Sequence, residues 1–275
     1  MKVFDEKLEL FDPKSYAELS EIDRKKVFSS LKHKYSFVKI DGTLYHKKMR
    51  HRVYIVNELV GEFISQYFGL DTVKSIMYKD IKPSYYWLLS KVFTNNIEHY
   101  SYLDSLFPGF INSSTIGLDN LNNLSRIYSF THRKIYDVSK RDLEKLSLSL
   151  RKLIVRDFIT NQTDRHGANF MFSFNKSHVK LMPVYDYEHS FKKAEMKKFL
   201  GYFDFNLNDE DVIKFIKNDD IFQELLEIAM CLDMRKIIKQ LEDEYPILLN
   251  ILEKHDYTSI IRKKQSEIKR YKLLR

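Results

Sequence analysis

Three residues in the middle of the chain have the types and spacing for metal-assisted phosphoryl transfer: Asp164, Asn169 five positions on, and Asp186. That reaction asks a protein for position and charge neutralisation rather than covalent chemistry. One acid accepts the acceptor's proton or orients its hydroxyl, and two oxygen ligands hold Mg²⁺ against the nucleotide phosphates. Asp and Asn are common in loops, so the flanking residues decide. FMFSF at 170–174 and VKLMPVY at 179–185 read as short strands around a polar turn, Asn175–His178. Asn169 then stands at the entrance of a hairpin and Asp186, 17 positions later, at its exit, where the two converge. The plainer reading of the same residues is a solvated loop leading into a hairpin.

Other elements must position these groups. Ser139-x-x-Asp142 looks like a helix start. Apolar residues at 143, 146, 150, 153, 154 and 158 continue it at helical spacing and deliver the chain into Asp164. Asp157, near the end of that helix, reads as a surface acid or cap partner as readily as a catalytic one. Upstream, Tyr35–Ile40 alternates like a strand, contains Lys39 and ends at an Asp41-Gly42 turn. A lysine in such a strand either points into water from a sheet edge or serves as a compact charge for phosphate. Apolar residues at 59, 60, 63, 64, 67 and 68 mark a helix closed by Gly69. It carries two acids, Glu58 and Glu62. Residues 73–79 and 85–93 read as further strands.

Thr163-Asp164-Arg165-His166-x-x-Asn169, then Pro183-x-x-Asp186 before Ser190-Phe191, resembles the catalytic and metal-binding segments of HipA-like kinases. These are bacterial Ser/Thr kinases of the protein-kinase-like fold, often the toxin of a toxin–antitoxin pair. The DRH-x-x-N string is also similar to lipid kinases of the phosphatidylinositol type. Asn57 to Leu70 matches the family pattern N-E-x5-[LI]-[AS]-x3-G-L. The resemblance, over roughly residues 35–191, implies ATP and Mg²⁺ as cofactors. It makes Asp164 catalytic, gives His166 a supporting role under the loop, and makes Asn169 and Asp186 metal ligands. Lys39 would contact the nucleotide phosphates, with Glu58 as its partner and Glu62 the competitor one turn later. The chain departs from the family at three places. The phosphate loop before the lysine strand, Ser29-Ser30-Leu31-Lys32-His33-Lys34, has no glycine, so Ser29, Ser30 and the two lysines would have to work through side chains. Gln162 stands where Asn is common, and Glu188 where Gly is common; Glu188 reads equally as a neighbour of the metal or a turn cap.

The 275 residues, 44% hydrophobic and 14% aromatic, suit a globular chain of one or two domains and exclude a disordered one. One cysteine, Cys231, excludes an internal disulfide framework, fits a reducing cytoplasm, and reads as buried filler. The acidic N-terminus does not read as a signal peptide, no apolar run suits a membrane span, and the scattered histidines form no zinc pattern. Net charge is +8, with seven Lys/Arg against one Glu from Arg262 to Arg275. That tail reads as a solvated helix face, or as an attractor of nucleic acid, acidic protein or phosphate. Residues 208–275 read as amphipathic helices broken near Pro246.

The expected fold is α+β and two-lobed: a small mixed N-lobe at 1–93 and a mostly helical C-lobe at 94–275. The expected activity is ATP- and Mg²⁺-dependent phosphorylation of protein Ser or Thr in the cytoplasm, with an antitoxin partner implied by the resemblance. The alternatives are a lipid or small-molecule kinase, and a pseudokinase that keeps the fold without the activity.

Overall fold

A computed structural model describes residues 9–10, 36–79, 86–94, 99–102, 139–162, 165, 169, 171–174, 178–191, 207, 210–248, 252 and 255–275. Asp164, His166, Ser29 and Ser30 lie outside these residues.

Five antiparallel strands form the first sheet: β1 (Glu9–Leu10), β2 (Ser36–Ile40), β3 (Thr43–Arg50), β4 (Ser75–Lys79) and β5 (Tyr86–Lys91). Their order is β1-β2-β3-β5-β4. Asp41 and Gly42, at φ 49° and 74°, join β2 to β3 with the two positive dihedrals of a tight hairpin. Residues paired across strands share a face. One face carries Leu88 and Met77 into the main core, and Lys39 and Lys48 lie on it too. The other face packs Val38, Ile40 and Leu89 into a small core of their own.

Helix α1 (Arg52–Tyr67) follows β3 after a single residue, five positions before the Asn57 start that the sequence pattern suggested. Every residue from Ile55 to Glu62 is buried. A helix covered on all sides needs packing on all sides, and α1 has the sheet's Met77 and Leu88 on one flank and two later helices on the other. It ends at Gly69, φ 63°, whose N–H reaches Gln66 O at 2.8 Å. Lys152 then donates to the Gly69 carbonyl at 3.0 Å.

A second sheet joins β6 (His99–Tyr102), β7 (Met171–Phe174) and β8 (Val179–Leu181), the last two being the expected hairpin. Helix α2 (Lys140–Ile159) lies between β6 and β7 in the chain. Its N-cap Ser139 accepts the Asp142 N–H at 3.1 Å. Among the described residues that follow are helices α3 (Glu210–Asn218), α4 (Asp220–Met230), α5 (Met234–Glu244) and α6 (Tyr257–Arg270), with a 3₁₀ turn at Pro246–Leu248. Asp219, Asp233 and Asp256 cap three of them. Cys231 is not buried filler: it falls at the C-cap of α4, where the helix has run out, and is exposed. One continuous core runs from Ile55 on α1 to Leu273 after α6. The architecture is mixed α+β, a small antiparallel sheet set against helices, and no helix among the described residues is long and apolar enough to cross a membrane.

Candidate active site

The site is built outward from the end of α2. Asp157 is neither a surface acid nor a cap; it is completely buried. Arg165 grips it with two bonds, Nε to Oδ2 at 2.8 Å and Nη2 to Oδ1 at 3.1 Å, and Arg156 Nη1 adds a third at 2.7 Å. A carboxylate at this depth persists only when paired and bonded. Arg165 belongs to the predicted catalytic loop, and its Nη1 also donates to the Tyr185 carbonyl at 2.8 Å. Gln162 Nε2 donates to the Asp186 carbonyl at 2.9 Å. The loop after α2 therefore holds the backbone immediately before Asp186 and at Asp186 itself.

The segment 184–191 is bent sharply. Asp186 and Phe191 both take left-handed backbone, φ 63° and 61°, which costs a bulky residue such as Phe191 of order 1 kcal/mol or more unless its surroundings hold it there. The surroundings do hold it. Phe191 N–H reaches Thr160 O at 2.7 Å, and Ser190 N–H reaches Tyr187 O at 2.9 Å. Tyr187 N–H donates to Glu58 Oε2 at 2.9 Å, and its hydroxyl to Val184 O at 3.0 Å. The Arg156 guanidinium sits 4.0 Å over the Tyr187 ring. Asn57 Nδ2 donates to the carbonyls of Glu188 and Ser190 at 2.9 and 3.1 Å. The Asn57-Glu58 pair on α1 thus grips the backbone that follows Asp186.

Three carboxylates meet here: oxygens of Glu58, Asp186 and Glu188 lie within 4.8 Å of one another. Burial, opposed by Lys48 and reinforced by Asp186, pushes Glu58 up to about 7. Glu188 is ion-paired to Arg50 at the end of β3 and lies 3.5 Å from His189 Nε2. Lys48 is the cation whose charge acts most on Glu58. The sequence paired Glu58 with Lys39 instead. Lys39 is on the same sheet face but lies on β2 opposite Leu44, four residues along β3 from Lys48. That is about 13 Å nearer the Asp41–Gly42 turn. Lys47 faces the other way, 4.0 Å over the Trp87 ring. Glu62 turns to β4: it accepts the Ser75 N–H at 3.2 Å, and burial pushes it too up to about 7. Asn169 is buried, two residues before β7. The donors gathered around Asp186 are hard oxygens, the set that suits Mg²⁺ rather than a softer metal.

Two of the eight residues singled out from the sequence, Glu58 and Asp186, are thereby brought together; Lys48 and Tyr187 join them unannounced, and Asn57 and Asp157, named in the sequence without an assigned site role, brace the same segment. The signal for Lys48 was its place in the last strand before α1. The signal for Asn57 was its adjacency to Glu58.

No protein-family model matches the chain, and no curated protein matches it. Solved structures do. The chain is similar to the Helicobacter pylori proinflammatory kinase CtkA, with a TM-score of 0.57 at 15% identity over 84% of this chain and 87% of that one. It is also similar to HipA of the Shewanella oneidensis MR-1 toxin–antitoxin system, solved with HipB and its operator DNA. There the TM-score is 0.53 at 12% identity, over 98% of this chain and 72% of that one. Both likenesses are of fold, and the fold is kinase-like.

Proposed function

We propose that this chain is an ATP- and Mg²⁺-dependent phosphotransferase acting on a Ser or Thr hydroxyl of a protein. One observation carries the reading: Asn57 and Glu58, on the helix that follows the Lys48 strand, bond directly to the backbone beside Asp186. That joins a phosphate-binding lysine to a metal-binding acid through one helix, the arrangement phosphoryl transfer needs. In this reading Asp186 and Asn169 hold Mg²⁺, which neutralises charge on the phosphates when bound. Lys48 holds the phosphates, with Glu58 behind it, and Lys39 faces the same cleft nearer the hairpin turn. Asp164 orients the acceptor hydroxyl and His166 supports the loop. Residues 1–93 and 94–275 form the two lobes, and the site lies where they meet. A cytoplasmic location and an antitoxin-type partner belong to the same reading. The first is supported by the single cysteine, the second by the likeness to a HipA solved with HipB.

The test is incubation with γ-labelled ATP, Mg²⁺ and a bacterial lysate, followed by identification of labelled species. Label on a protein Ser or Thr, lost in Asp164→Asn and Asp186→Ala, supports the reading. Label on lipid moves the acceptor class. ATP binding without transfer to any species makes the chain a pseudokinase and overturns the proposal.

A further inference from the structure

The four C-terminal helices carry no motif, yet one residue of α6 reaches the centre of the site. Tyr257, the first residue of α6, is fully buried, and its hydroxyl donates to Asn57 Oδ1 at 3.0 Å across 200 positions of sequence. Its ring stands edge-on to Phe191, centroids 4.9 Å apart at 84°. Asn57 is the residue whose Nδ2 holds the carbonyls of Glu188 and Ser190. We infer that Tyr257 is a positioning residue for Asp186, through which α6 holds the metal-binding segment in place; this rests on the reading of Asp186 as a metal ligand.

The amide of Asn57 explains why the hydroxyl matters. It has two N–H donors and one carbonyl acceptor. Two backbone carbonyls take the donors, so the amide works in one orientation only; turned over, it would set oxygen against two oxygens. Tyr257 supplies the donor that its Oδ1 requires in the working orientation. Burial pushes the Tyr257 hydroxyl far above its ordinary range, so it remains a donor throughout the working pH range. The ring does a second task. Phe191 ends the bent segment in left-handed backbone, and the Tyr257 ring packs edge-on against it. Removing the hydroxyl alone leaves the ring and that contact in place, but leaves a buried Oδ1 without its donor.

Tyr257→Phe in the full chain tests this. Two quantities are read: the Mg²⁺ concentration that half-saturates ATP binding, by calorimetry, and amide hydrogen exchange at Ser190 and Phe191. The expected result is a half-saturating Mg²⁺ concentration raised about tenfold, metal-free ATP binding unchanged, and exchange at both amides about tenfold faster. Amides of α4 should keep the wild-type rate, which a general loss of stability would not allow. Asn57→Ala should show the same pattern, and the double variant should be no worse than Asn57→Ala. Unchanged Mg²⁺ dependence and exchange in folded Tyr257→Phe overturns the proposal, as does full additivity of the two substitutions. ATP binding that ignores Mg²⁺ in the wild type refutes the metal reading itself and takes the proposal with it.

Discussion

Gly61→Ala is expected to destabilise the protein, against the ordinary rule for glycines in helices. In an exposed helix interior that change stabilises by about 1 kcal/mol, because alanine has less backbone freedom to lose. At position 61 the added Cβ would lie 2.5 Å from both Cβ and Cγ of Tyr187 and 2.6 Å from Arg156 Nη2. Carbon contacts settle at about 3.5–4.0 Å, so Tyr187 has to retreat by about 1 Å. It is poorly able to do so. Its N–H is bonded to Glu58, its hydroxyl to Val184, and its ring lies under Arg156. Overpacking of this kind costs about 1–3 kcal/mol, and the rooted atoms involved put Gly61→Ala at the upper end. Subtracting the propensity gain leaves a net loss of about 2 kcal/mol. Urea unfolding of wild type and variant measures it as a shift in midpoint at constant slope. The displaced residue is the neighbour of Asp186, so Mg²⁺-linked ATP binding should weaken as well. Tyr187→Gly, which removes both the Cβ and the Cγ that the added methyl would meet, supplies the control: Gly61→Ala should cost markedly less in that background than in wild type. A Gly61→Ala variant as stable as wild type would refute the close packing of α1 on the metal segment.

Three further outcomes are expected. Lys48→Met should lower phosphoryl transfer at least tenfold, about 1.4 kcal/mol of transition-state stabilisation, and Lys39→Met far less; initial rates at saturating ATP decide, and the reverse order would return the phosphate role to β2. Asp157→Asn should cost about 3–5 kcal/mol, because two buried guanidinium groups lose their carboxylate; a urea midpoint within error of wild type would show the triad to be dispensable. Glu62 sets a pH dependence. Its folded-state value of about 7 lies above the ordinary 4.5 of a glutamate, so the native state binds the proton more tightly. Stability from this group is full below about pH 4.5 and falls as pH rises toward 7, by up to about 3 kcal/mol. Glu62→Gln should flatten the decline in unfolding free energy between pH 5 and 8, and should affect transfer much less than Glu58→Gln. An unchanged slope would mean that Glu62 is solvated.

Where the sequence was legible, it was so through local pattern. The 170–185 hairpin, the Ser139 cap and the Asp-Gly turn each depend on neighbours within a few residues, and each appears, although the hairpin's second strand ends at Leu181 instead of running to 185. The strand β3 was missed because Thr43-Leu44-Tyr45-His46-Lys47-Lys48-Met49-Arg50 shows no apolar alternation. Its described side chains are half-buried, with a basic group on each face, Lys47 over Trp87 and Lys48 on the face toward Glu58. The turn itself held the missing information, since a two-residue hairpin must be followed by a second strand. Missing that strand left Lys48 out of the candidates for the phosphate role, which the sequence reading gave to Lys39 on β2. The choice between Glu58 and Glu62 was open for a different reason. Both lie on one helical face, and what separates them is whether Tyr187 or Ser75 donates to them, a matter of tertiary position. Asp157 was ambiguous because its main partner, Arg165, reaches it only once the chain folds back after α2.

The burial of Asn57 and Glu58 follows from what they bind. A helix that served only to aim a carboxylate at a lysine could present it from an exposed face, and the pair would be tuned by solvent. Here both side chains spend hydrogen bonds on backbone: Glu58 on the Tyr187 N–H, Asn57 on the carbonyls of Glu188 and Ser190. Backbone groups cannot be swapped by rotamer, so the position of Asp186 relative to α1 is set by the main chain at residues on its C-terminal side. Gln162 and Arg165 set it from the other direction through the carbonyls of Asp186 and Tyr185. What remains adjustable is charge. Glu58, Asp186 and Glu188 crowd within 4.8 Å with Lys48 and Arg50 beside them. Crowded carboxylates raise one another's proton affinity, and a bound divalent cation removes that repulsion. A rigid frame around repelling acids gains most from an ion that fits between them, and in the proposed reading that ion is Mg²⁺.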